Sequence, residues 1–94
     1  MNIQLNQVVD IDTIDSDVRR IVSEELGIEM QNIKSETDII GDLGAGQADM
    51  DSIKIATEHW FHITISDGNW SKMKCINDIV HLADVHLEIK QIEM

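Results

Sequence analysis

Four histidines are the first residues whose chemistry invites attention. His59 and His62 stand three apart, His81 and His86 five apart. No cysteine or carboxylate spacing closes a tetrahedral set around either pair, so they read as solvent-facing and no metal site is assigned. Asp38, Asp42, Asp49 and Asp51 lie close in sequence. They lack the D-x-[DN]-x-[DN]-G run and late glutamate of a calcium loop. Weak divalent binding that relieves acid–acid repulsion is the most this cluster supports. Cys75 is the single cysteine; its sequence neighbourhood offers no activating partner, and no internal disulfide can form. Gly41, Gly44 and Gly46 follow no strand, so they are not a dinucleotide fingerprint; Gly44 and Gly46 serve turn geometry. No serine, histidine and aspartate are set in a nucleophile motif. No catalytic residue is assigned, and the chain reads as a non-enzyme.

The composition narrows the remaining classes. The chain has 94 residues, enough for one domain. Hydrophobic residues make up 43%, which is globular, but aromatics make up only 3%. The core must therefore be built from isoleucine, valine, leucine and methionine. Eighteen acids face seven bases, for a formal charge of −11. That argues against nucleic acid, whose phosphates need cations to replace counterions, and against an anionic membrane surface. A basic protein surface is the natural complement. No run approaches the length needed to span a bilayer, and residues 1–10 carry no basic leader. The expectation is a cytoplasmic, monomeric domain.

Helices must position whatever site exists. Residues 1–9 alternate loosely through Ile3, Leu5, Val8 and Val9, as a frayed tail or a short strand would. The tail reading divides the chain into a flexible segment 1–11 and one helical domain 12–90. A first helix is expected to start near Thr13 to Asp17, capped by Asp12 or Ser16. Ile14, Val18, Ile21, Val22 and Leu26 form its apolar stripe, and Gly27 ends it. Ile28 and Ile33 pin a long polar loop. A second helix is expected from Gln47 to Phe61, with Met50, Ile53, Thr57 and Trp60 on one face. A short turn forms around Trp70, and a final helix runs from Cys75 to Ile89. With no convincing strand pair, this is an all-α fold: a small four-helix bundle of three main helices and one short one.

At Asp42-Leu43-Gly44-Ala45 the chain resembles the acyl carrier protein family, which carries D-L-G-x-D-S-L at the start of its second helix. The likeness continues through Phe61-His62-Ile63-Thr64-Ile65-Ser66-Asp67. It runs without a gap from about Val18 to Leu82, including Gly27, Ile28, Ile33, Lys72, Met73, Ile76 and Val80. Each motif is weak alone; the spacing across most of the chain is the specific part. The resemblance implies an acyl-carrier-like four-helix bundle whose core includes Val18, Ile21, Val22, Leu26, Ile33, Leu43, Ile53, Phe61, Ile65, Ile76 and Val80. It implies a phosphopantetheine arm on a serine, acyl groups of fatty acid or polyketide biosynthesis, and partners that include biosynthetic enzymes and a phosphopantetheinyl transferase.

One departure bears directly on the arm. The family serine lies four residues after the leucine and fourteen before the phenylalanine; both counts arrive at Gln47. A carboxamide cannot form the phosphodiester. Asp51-Ser52-Ile53 copies the local D-S-L signature, which makes Ser52 the candidate attachment residue. On a helical wheel Ser52 lies about 200° from Met50, which turns it away from the apolar stripe. Asp42, Asp49, Asp51 and Glu58 are the candidate partner-binding acids, facing basic surfaces on acyl-transfer enzymes; the alternative is a solvated helix face. Two functional readings follow. One is an acyl carrier protein that presents acyl groups through the arm. The other is a carrier-like module that lacks the arm and acts by protein–protein contact alone.

Overall fold

The computed structural model describes residues 10–92, with side chains for residues 10–87. Residues 1–9 of the tail expected over 1–11 lie outside the described residues; Asp10 and Ile11 belong to the start of the first helix. Four helices follow in order: α1 (Ile11–Leu26), α2 (Gln47–Phe61), α3 (Asp67–Trp70) and α4 (Ile76–Ile92), with a single 3₁₀ turn over Met30–Asn32. Among the described residues no strand forms, and Asp38 and Cys75 make one isolated antiparallel bridge. The all-α, four-helix reading is the observed architecture.

α1 begins earlier than the sequence suggested. Asp10, in an extended conformation, accepts the Asp12 backbone N–H at 3.2 Å and takes the cap expected of Asp12 or Ser16. Ile14, Val18, Ile21 and Val22 are buried along one face. Gly27 closes the helix at φ 69°, and its N–H and that of Ile28 both reach the Ser23 carbonyl. A side chain is unfavourable at that left-handed φ.

The long α1–α2 loop is held at several points. Ser35 donates to Asp15 at 2.9 Å, and Asp15 also pairs with Arg19 one turn along α1. Ile33 and Ile39 are buried, and Thr37 accepts the Lys34 N–H at 2.8 Å. The loop then joins the start of α4: Ile39 N–H donates to the Lys74 carbonyl, and Asn77 N–H donates to the Ser35 carbonyl. α4 is capped by Asp78, whose carboxylate accepts the backbone N–H groups of Lys74 and Cys75 at 2.9 and 3.1 Å. Those two hydrogen bonds, the Lys74 one foremost, hold the Asp78 carboxyl below the usual carboxylate range.

α1 packs against both α2 and α4, and Ile14, Val18, Val22, Ile53, Ile76, Ile79 and Val80 fill the space between them. Nine of the eleven expected core residues are buried; Leu26 and Leu43 are half-buried and pack on the edge of the cluster. Trp60 corrects the expected stripe of α2: it is 47% exposed, and Phe61 closes the buried face instead. The wheel explains this. Phe61 falls about 20° from the Met50 direction and Trp60 about 80° from it, on the edge of the stripe. α4 begins at Ile76 rather than Cys75 and extends to Ile92.

Candidate functional site

The loop into α2 is a network of short backbone and carboxylate contacts. Asp38 accepts the Gly41 N–H at 2.8 Å, and Asp42 accepts the Asp38 N–H at 2.9 Å. Gly44 turns the chain at φ 73°, and Ala45 N–H returns to the Ile39 carbonyl. Gly46 is the extended residue before the helix; its N–H donates to Asp49 at 3.0 Å. α2 therefore starts at Gln47, the position at which both sequence counts arrive.

Gln47 is exposed, and its side-chain amide donates to Asp51 at 3.0 Å, one turn along. It sits where the first turn of a helix leaves backbone N–H groups without helical partners, and where the dipole favours an anion. The place suits a phosphate, but the side chain does not: a carboxamide has no hydroxyl to esterify. The phosphopantetheine arm does not fit position 47.

Ser52 is the sixth residue of α2 and is exposed. The other hydroxyl of α2, Thr57, is fully buried and donates to the Ile53 carbonyl at 2.7 Å. Ser52 is thus the accessible hydroxyl of this helix. Its surrounding backbone N–H groups are already spent on the helical ladder, so it has none of the anion stabilisation available at position 47. It also leaves the helix about 140° round from Gln47.

That angle matters because Gln47, not Ser52, borders a cleft of about 350 Å³ between α2 and α3. Its apolar wall is Ile40, Met50, Trp70 and Met73; its polar rim is Gln47, Asp51, Lys54, Asp67 and Ser71. Lys54 spans the rim and pairs with Asp67 at 2.7 Å. The hydrogen bond between them, more than any longer-range charge, raises the Lys54 ammonium above its ordinary value and lowers the Asp67 carboxyl. Asp67 is fully exposed, so water and salt weaken this pair.

The four candidate partner-binding acids do not share one environment. Asp42 and Asp51 are exposed; Asp49 and Glu58 are half-buried. Each also has an internal partner: Asp42 holds Asp38, Asp49 caps Gly46, Asp51 holds Gln47, and Glu58 accepts the Ile65 N–H at 2.8 Å. Among the described residues, no group of three metal-ligating side chains comes together. His59 and His62 place their rings 6.4 Å apart at the end of α2, where His62 ends the helix at φ 58°. No helix among the described residues is long and apolar enough to cross a membrane.

Sequence reasoning missed Trp70 and the Lys54–Asp67 pair as parts of a site. Lys54 and Asp67 lie thirteen residues apart, and no local spacing links them. Trp70 gave little warning, because a four-residue helix has no period from which to read a buried face.

No family model matches the chain. Curated relatives do. An acyl carrier protein of Campylobacter jejuni subsp. doylei is 37% identical over 68 residues, covering 72% of this chain and 88% of that protein. One of Campylobacter concisus is 38% identical over 65 residues, covering 69% and 84%. One of Clostridium acetobutylicum is 34% identical over 71 residues, covering 76% and 92%. With the Leu43 to Phe61 spacing intact, α2 starting at the family position and identity of this order over most of each partner, the chain belongs to the acyl carrier protein family.

Proposed function

We propose that this chain is a divergent acyl carrier that presents acyl groups to partner enzymes, with Ser52 as the residue that takes the phosphopantetheine arm. The observation that carries the reading is the α2 helix itself: it spans Gln47–Phe61 in the family spacing and exposes Ser52 as its accessible hydroxyl. The arm supplies a terminal thiol on which an acyl group is held as a thioester. The chain supplies recognition, through Asp42, Asp49, Asp51 and Glu58 offered to a basic partner surface. It works in this reading as a cytoplasmic monomer in fatty acid or polyketide biosynthesis and catalyses nothing itself.

Gln47 favours a second reading. A carboxamide at the start of α2, tied to Asp51, leaves the carrier surface without its usual attachment point. The chain then acts by docking alone.

Intact mass separates the two. The purified chain is incubated with coenzyme A and a broad-specificity phosphopantetheinyl transferase that loads a control carrier in the same tube. Gain of one arm, mapped to Ser52 and absent in Ser52→Ala, is the expected result for the carrier with an arm. An unchanged mass beside a fully loaded control supports the armless module.

A further inference from the structure

We propose that the outer face of α4, together with the connection from α3, docks an amphipathic helix of a partner protein whose apolar stripe is flanked by carboxylates. The face is separate from the α2–α3 cleft and from the acids of α2. The inference goes beyond the carrier reading and stands whether or not an arm is ever attached.

α4 carries apolar residues on two sides. Ile76, Ile79, Val80 and Ala83 are buried against the core. Val85 leaves the helix about 180° from Ile76, and Leu82 about 60° further round, so neither belongs to that stripe. Val85 is 53% exposed and Leu82 is half-buried. A helix that packs on one core ordinarily turns polar side chains outward. Here Leu82 and Val85 instead join Met73, from the α3–α4 connection, in an open groove of about 470 Å³. Single exposed apolar residues are ordinary, but a group of them in a groove with a polar rim marks a contact surface.

Charge identifies the occupant. Eighteen acids outnumber seven bases in the chain. Yet Lys72, on the rim of the groove, and Lys74 beside it take no part in the ion pairs of the described residues, which are Arg19–Asp15 and Lys54–Asp67. His81, exposed on the same rim, adds a ring N–H. The acid of the groove, Asp78, already accepts the Lys74 and Cys75 N–H groups at the start of α4, where the helix dipole further offsets its charge. His86 donates its Nδ1–H to the Leu82 carbonyl at 2.8 Å. The rim therefore presents cations and a donor that no carboxylate of this chain answers. Screening at physiological salt acts over about 8 Å, so a docked carboxylate responds to Lys72 more than to acids across the molecule.

Spacing selects a helix. Leu82 and Val85 stand three apart on α4, and a second helix offers apolar side chains at the same interval, about 5–6 Å apart. A second copy of this chain fits poorly. It brings another formal charge of −11, and a two-fold pairing sets one cationic rim against its equal.

The test uses the natural, isotope-labelled chain and two synthetic peptides of about 18 residues, five helical turns. Both carry a leucine stripe; glutamates flank it in one and glutamines in the other. The glutamate peptide is expected to move the backbone signals of Met73, Leu82 and Val85 to saturation. It is expected to bind about 2- to 10-fold more tightly than the glutamine peptide, the worth of one or two exposed ion pairs. Lys72→Gln combined with Lys74→Gln is expected to remove that preference. Val85→Asp, on an exposed position, is expected to weaken both peptides about 10-fold, as loss of a central contact does. Equal affinity for the two peptides, or shifts that gather on α2, overturns the proposal. So does movement of the same groove signals by self-association of the chain alone, seen as a doubled mass in sedimentation. Movement by phosphatidylglycerol vesicles but by neither peptide assigns the face to lipid and overturns it as well.

Discussion

The side-chain amide of Gln47 donates to the carboxylate of Asp51 at 3.0 Å, across the first turn of α2. This contact occupies the helix start at which the family pattern places a serine. The backbone around it is intact: Gly46 leads in extended, Asp49 caps it, and Gln47 is the first helical residue. The missing hydroxyl is a side-chain replacement on a preserved scaffold.

Gln47→Ser should therefore create an acceptor. The new hydroxyl would stand beside the unpaired N–H groups of the first turn, which stabilise a phosphate. Incubation with coenzyme A and a transferase is expected to add one arm, located at residue 47 by peptide mapping, with Ser52→Ala present to remove the other hydroxyl. A double variant that stays unloaded, beside a loaded control carrier, would mean that the loop before α2 is not presented as the transferase requires.

The orientation of α2 can be checked by paired truncations. Ile53 is fully buried and Ile55 is 65% exposed, two residues apart on the same helix. Ile53→Ala is expected to cost about 2–5 kcal/mol, the range for a cavity left in a core. Ile55→Ala is expected to stay within about 0.5 kcal/mol, as surface changes do. Urea midpoints of the two variants measure this. Similar losses would show that α2 is rotated from the orientation described.

Asp78 gives stability a definite pH dependence. Its folded-state carboxyl titrates below the ordinary value because it accepts the Lys74 N–H and, secondarily, the Cys75 N–H. A depressed folded value means its contribution is complete above the unfolded value and disappears as pH falls through the folded one. Asp78→Ala is expected to cost about 0.5–2 kcal/mol at neutral pH, as loss of a helix cap does. The difference between variant and natural chain should shrink as pH drops below the ordinary aspartate range. Melting curves across that range check the sign; a gap that widens in acid would contradict it.

The sequence by itself determined the elements and their spacing. Apolar residues recurring with the helical period placed Ile14, Val18, Ile21 and Val22 in the core, and Gly27 marked the stop. The interval from Leu43 to Phe61 set the start of α2 at Gln47 and left Ser52 outside the buried stripe. These are local or counting properties, written in the order of residues along the chain. Tertiary structure decided the rest. Trp60 and Trp70 are equally apolar in a sequence, yet one is half exposed and the other is buried. Trp60 sits at the edge of a stripe, where a neighbour from another element determines burial. Trp70 belongs to a helix too short to show a period. Lys54 finds Asp67 thirteen residues away, and the loop at Asp38 meets Cys75, because folding brings α2, α3 and the start of α4 together. Those contacts between distant residues are what turn a row of acids and apolar side chains into a cleft between α2 and α3.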